Sequence, residues 1–317
     1  MPVVLLALAA LFAVVAGAND GSAIVAAGLR VPGLRPITQI GLLLAALVLG
    51  PTVLFGTRVA STLAERLVPF GGQQQGVVLV AIVVSVGVVF TLARAGLPTS
   101  LTLALMGAIT GAGLGAGLPV QLPVLGEVAL AGILAPVLAG ALGFALTRGG
   151  LRVVGGWRAT RRARRLHLGA YCLQCLAYSA NGGQKMLAVF AIATAGTVGS
   201  ADWAFALAAT GLFGLGLVGG VRRAAANLSR GVLAVHLRHA LVAEVCSSVV
   251  VAGGGLAGIP LTMSQAVSGG LIGAGASESP ARVRWATALR LAGAWLVTLP
   301  ASIAAAALGG VLVRWAG

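Results

Sequence analysis

A chain of 317 residues that is 59% hydrophobic and only 9% charged, with a mean hydropathy of +1.04, cannot build a water-soluble surface, since soluble domains carry roughly 25% charged residues. The same composition, with three cysteines, excludes a secreted disulfide scaffold and a disordered tail. The net charge of +15 would suit nucleic acid in a soluble chain, but no basic patch interleaves with aromatic residues, so no nucleic-acid partner is expected.

The expected architecture is an all-α polytopic membrane protein. A bilayer span takes about 20 apolar residues. In chain order, apolar segments are expected near residues 2–29, 37–57, 75–95, 97–118, 124–147, 168–192, 203–221, 239–257, 259–276 and 286–313, the short ones as spans or re-entrant hairpins. The first segment has no basic residue before Leu5 and runs into a polar motif, not a small-residue cleavage site, so it reads as a retained span.

Arginines separate the loops into two sets. Seventeen of the 20 fall in alternate gaps: Arg30, Arg35, Arg94, Arg148, Arg152, Arg158, Arg161, Arg162, Arg164, Arg165, Arg222, Arg223, Arg230, Arg238, Arg282, Arg284 and Arg290. Arg58, Arg66 and Arg314 alone lie on the other side. Basic loops stay in the cytoplasm during insertion, which predicts a multi-pass protein of the cell membrane with both termini outside. Cys172 and Cys175 form C-x-x-C with no second pair or nearby histidine, and Cys246 is alone in an apolar run; all three read as packing residues.

Two stretches repeat at a fixed offset. LPTSLTLALMGAITGAG at residues 97–113 aligns with IPLTMSQAVSGGLIGAG at 259–275, pairing Pro98 with Pro260, Gly107 with Gly269 and Gly111 with Gly273, all 162 residues apart. The same offset carries GANDGS at 17–22 onto SANGGQ at 179–184. A duplicated unit is expected, with a first repeat over 1–147, an Arg-rich cytoplasmic linker over 148–166 and a second repeat over 167–317. Five segments in each unit would invert the second copy in the membrane, and transporters built this way place discontinuous or re-entrant helices and their substrates near the midplane.

Each proline that opens a repeated segment precedes hydroxyl residues: Thr99, Ser100 and Thr102 in the first copy, Thr262 and Ser264 in the second. Proline suits the first helical turn. Free N–H groups and the positive end of the helix dipole would then face an anion, with the hydroxyls as further donors. The alternative is that the hydroxyls merely cap their helices. Gly107 and Gly111, and Gly269 and Gly273, read as G-x-x-x-G packing faces.

Of six acidic residues, Asp20 and Glu244 fall within apolar stretches. A carboxylate there is costly and marks an ion, a proton or a charge partner. Asn19 and Asp20, with carbonyls opened by Gly17 and Gly21, could hold Na+ or a proton. Asn181 and Gln184 would serve the same cation from the second copy. Lys185, the only lysine, would pair with Asp20 or Glu244 or help hold the anion. Glu244 has a second expected pairing, with Arg238 or His239. His167, His236 and His239 are expected at membrane interfaces. No catalytic triad, nucleotide loop or metal-ligand cluster is seen, so no enzyme or ATP-driven pump is expected.

These motifs resemble those of the inorganic phosphate transporter (PiT) family. GAND at Gly17–Asp20 matches its first repeated motif, NGGQK at Asn181–Lys185 resembles the second copy, and Pro98, Ser100, Thr102 and Pro260, Thr262, Ser264 follow its two phosphate-loop motifs. VRWATALRLAGAWLVTLPAS at Val283–Ser302 looks like the family's final helix. The resemblance implies a phosphate symporter coupled to sodium or protons, in contact with membrane lipid and assembled as a homodimer. Sulfate is the nearest alternative substrate, and a transport-inactive protein acting through partners is the other alternative. Gly182 stands where the family has a second aspartate, Leu101 and Met263 replace the central threonines, and Leu103 and Gln265 replace histidines.

Overall fold

A computed structural model of the chain describes residues 1–28, 35–70, 74–94, 100–149, 161–194, 203–229 and 237–316. Every regular element among them is helical. Among the described residues, seven helices are long and apolar enough to cross a membrane, and the protein is a multi-pass membrane protein. Its solvation is inverted relative to a soluble domain. Leu215, Leu289, Leu308 and Leu312 are about 70% exposed, whereas Asp20, Lys185 and Glu244 are buried. Apolar side chains face lipid, and polar ones turn inward where other polar groups can satisfy them.

The first crossing is α1 (Pro2–Ala16), a π-helical turn at Gly17–Gly21 and α2 (Ser22–Gly28). Its backbone stays in the right-handed helical region at both junctions. The first polar motif is therefore a π turn in a continuous helix. The inserted residue re-aims side chains and loosens the backbone bonds while the chain still crosses. α3 (Pro36–Leu49) also ends in a π turn, Gly50–Leu54. There follows an element that the apolar pattern does not mark: α4 (Arg58–Ser61) with a third π turn, Thr62–Arg66. Its sequence, RVASTLAER, is too short and too charged to stand out.

α5 (Gln75–Arg94), α6 (Leu101–Ala116) and α7 (Leu122–Gly149) follow, then α8 (Arg161–Tyr178), a π turn at Ser179–Gly183, α9 (Gln184–Thr194), α10 (Trp203–Ser229), α11 (Leu237–Leu256), α12 (Met263–Glu278) and α13 (Trp285–Ala316). At 16 residues each, α6 and α12 reach about 24 Å, short of the roughly 30 Å hydrocarbon core. Most of linker 148–166, namely 150–160, lies outside the described residues.

The halves are interlocked. α6 packs chiefly on α13 and α12 on α7, while α1 meets α10 and α8 meets α3. Glycines make the first two crossings. A Cβ on Gly111 would lie 2.1 Å from the Ile303 carbonyl oxygen, and one on Gly273 would lie 1.9 Å from that of Gly140. Only a missing side chain lets these backbones touch.

Glu244 pairs with neither Arg238 nor His239. Its Oε2 lies 3.3 Å from Nδ1 of His167, and both residues are buried. His167 is thus an interior residue, because α8 packs that face on α11. Arg238, His239 and Arg282 instead gather around Glu278, at the end of α12.

Candidate functional site

α6 and α12 begin at the same place. Ser100, in extended backbone, caps α6 by accepting the Leu103 N–H at 3.1 Å. Thr262 stands at the same position of α12. The two hydroxyls are 2.7 Å apart, and their separation of 162 residues equals the repeat offset. First-turn N–H groups have no intrahelical acceptor, so two converging helix starts concentrate donors and positive potential. The α12 start offers more of them: Thr262 makes no side-chain cap to its own helix, and the buried Ser264 Oγ has no partner.

A positive charge stands beside these hydroxyls. Lys185, 2% exposed on the first turn of α9, donates from Nζ to Thr102 Oγ1 at 2.6 Å and to the Leu261 carbonyl at 3.1 Å. One ammonium thereby links the first turn of α6 to the residue just before Thr262. A buried ammonium requires a compensating charge, and Asp20 is the carboxylate that acts on it.

Asp20 occupies the π turn between α1 and α2, where the widened ring directs its side chain inward. Asn19 Nδ2 donates to Oδ1 at 2.8 Å and the Tyr178 hydroxyl to Oδ2 at 3.3 Å. A carboxylate has about four acceptor positions, so one bond on each oxygen leaves capacity for a cation. In the π turn at Ser179–Gly183, Asn181 Oδ1 accepts the Leu261 N–H at 2.8 Å, and its Nδ2 donates to the Ile259 carbonyl at 3.3 Å. Gln184 Oε1 accepts the N–H groups of Val59 at 2.7 Å and Ala60 at 3.3 Å, while its Nε2 donates to Ala180. Both lone pairs of that carbonyl are engaged, and the first turn of α4 is held against the site. Asp20 with Asn19 thus presents oxygen acceptors of the kind a hard monovalent cation takes, whereas Asn181 is tied to the backbone around Leu261 and Gln184 to α4.

The structure brings together Ser100, Thr102, Thr262 and Lys185 and connects Asn181 to them through Leu261. Ser264 is the second residue of α12, in its first turn, and Thr99 lies outside the described residues. Three contributors were not foreseen: the Tyr178 hydroxyl on Asp20, the Leu261 carbonyl on Lys185 and α4 on Gln184. Tyr178 had a detectable signal, since it precedes Gly182 by one turn. The carbonyl and α4 had none, because backbone geometry is not a residue type.

With that geometry in place, comparison with known proteins is informative. The sequence profile described as "Phosphate transporter family" matches residues 16–162 and 151–306. A Mycobacterium tuberculosis protein described as "Probable low-affinity inorganic phosphate transporter" is 30% identical over 168 residues, which is 51% of this chain and 40% of the relative. One of the same description from Bacillus subtilis is 24% identical over 151 residues, 46% of this chain and 45% of the relative. Each matched stretch thus spans less than half of the relative's own length. A solved structure titled "The sodium-dependent phosphate transporter" superposes with a TM-score of 0.83 over 99% of both chains at 14% identity, a likeness of fold.

Proposed function

The chain belongs to the phosphate transporter family, and we propose that it is a secondary transporter, not an enzyme, carrying inorganic phosphate across the cell membrane with Na+ or H+. One observation carries the reading: two short helices, one from each repeat, start against each other at Ser100 and Thr262 with the chain's only lysine alongside. The anion is held by Ser100, Thr102, Thr262, Ser264 and Lys185 together with first-turn N–H groups. These are neutral and positive donors in a dry site, where each interaction is stronger than in water. Asn19, Asp20 and Asn181 take the cation, and Gln184 holds the frame. Cation and anion then enter as a nearly neutral load, which lowers the cost of moving either through a low-dielectric interior.

The halves over 1–147 and 167–317 form inverted repeats, and the interlocked packing supports this: α6 on α13 answers α12 on α7, and α1 on α10 answers α8 on α3. Arginine-rich loops lie in the cytoplasm and both termini outside. Uptake of labelled phosphate into proteoliposomes, under imposed Na+ or pH gradients and with sulfate as competitor, tests the whole reading. Phosphate accumulates only when a cation gradient drives it, and sulfate competes weakly. Absence of accumulation under every gradient removes phosphate transport, and preferential sulfate uptake replaces the substrate.

A further inference from the structure

At the 162-residue offset, Asp20 corresponds to Gly182 and Ala16 to Tyr178. The first half has a small residue one turn before a carboxylate, the second a large residue one turn before no side chain at all. These differences are spatially coupled. A Cβ on Gly182 would lie 2.3 Å from Cζ of Tyr178 and 2.6 and 2.7 Å from its two Cε atoms, so the phenol fills the space that a side chain at 182 would need. The ring is 1% exposed and is held by Phe213, centroid to centroid 5.9 Å. Phe213 in turn covers Gly21, next to Asp20. The ring cannot move away without disturbing both crossings, and its hydroxyl reaches Asp20 Oδ2 in the other half.

We propose that Tyr178 closes the second half's cation subsite and acts as the positioning residue of the remaining one, so that the protein holds a single Na+ at Asp20. This rests on the cation-coupled reading above. With Oδ1 bonded to Asn19 and Oδ2 to Tyr178, the carboxylate is held in one orientation with acceptor capacity left on each oxygen. The equivalent place in the second half is filled by an aromatic ring.

The test uses the purified full chain. Na+-dependent thermal stabilisation is measured at constant ionic strength, with N-methylglucamine as the replacement cation, and Na+ activation of phosphate uptake is measured in parallel. Wild type shows a Hill coefficient of about 1, as one site requires. Tyr178→Phe keeps the packing, and so the stability without Na+, but raises half-saturating Na+ roughly 10-fold by removing one hydrogen bond to a charged group. Its maximal uptake at saturating Na+ changes far less. Tyr178→Ala with Gly182→Asp moves the coefficient toward about 2; if this variant does not fold, Tyr178→Phe decides. An unchanged half-saturation in Tyr178→Phe, a wild-type coefficient near 2, or no stabilisation by Na+ overturns the inference. Phosphate uptake that persists without Na+ overturns it while leaving phosphate transport standing. Na+ stabilisation weakened by Tyr178→Phe in a protein that takes up no phosphate supports it and removes the substrate reading instead.

Discussion

The π turn at Gly17–Gly21 holds an acid and no base, whereas its counterpart crossing in the second half holds a base and no acid. Asp20 has Gly182 as its repeat counterpart, and Lys185 has Ala23. Elements recur at matching positions, as α5 and α11 or α6 and α12 do at 162 residues, so the scaffold is common to both halves and the charges are divided between them. Each half alone would bury an uncompensated charge. Together they bury one carboxylate and one ammonium in the same protein interior. Dividing the charges in this way makes each half dependent on the other for solvation of its charged group.

The sharpest way to break the comparison is Lys185→Met. It removes the donor to Thr102 and Leu261 and leaves Asp20 buried without its basic neighbour. Phosphate uptake falls by about 100-fold, and thermal stability drops, because a buried carboxylate is left less compensated. Adding Asp20→Asn to that variant restores part of the stability but none of the uptake. Strict additivity of the two losses in a thermal denaturation series would show that the charges do not interact.

Asp20→Asn alone comes next. It keeps the shape and removes the charge, so uptake loses its dependence on the cation gradient while residual phosphate binding persists. Cation-driven accumulation at the wild-type level would take Asp20 out of the coupling role.

A third comparison is between the two helix starts. Ser100→Ala removes both the link to Thr262 and the cap of α6, at about 1 kcal/mol of stability. Thr262→Ala removes only the link, because Thr262 does not cap α12. Both weaken half-saturating phosphate several-fold, but only Ser100→Ala lowers the melting temperature. Equal melting temperatures would contradict the capping asymmetry.

The smallest effect concerns Glu278. Burial pushes its carboxyl up, but His239, Arg238 and Arg282 outweigh that and hold it below the ordinary carboxylate value. A group with a depressed folded-state pKa stabilises the fold above its unfolded value and loses that contribution as pH falls through the folded one. Melting temperature therefore declines in acid, below about pH 4.5, and Glu278→Gln flattens the decline. An identical pH profile in the variant would assign the acid sensitivity elsewhere.

Much of this protein could be read without coordinates. Apolar runs located every long crossing, since a span must satisfy its backbone internally and show lipid an apolar face. The glycine spacing announced the close contacts of α6 and α12, and the paired hydroxyl motifs announced that Ser100 and Thr262 matter. Glu244 was read against Arg238 and His239 because they are near in sequence. Its partner, His167, is near only after α8 packs on α11. α4 was invisible because four helical residues and a π turn carry no periodicity. Gln184 looked like an ion ligand by residue type, yet its carbonyl is engaged by the α4 backbone.

Residue chemistry by itself determined that the chain lives in a membrane, that two motifs recur 162 residues apart, and that an acid, a base and paired hydroxyls are the groups to watch. These follow from local quantities: transfer cost, spacing and charge. Which of those groups meet was decided only by tertiary structure, because Ser100 touches Thr262 across 162 residues and Tyr178 reaches Asp20 across 158. That pairing depends on helices crossing through glycine contacts, and on a phenol filling the space beside Gly182.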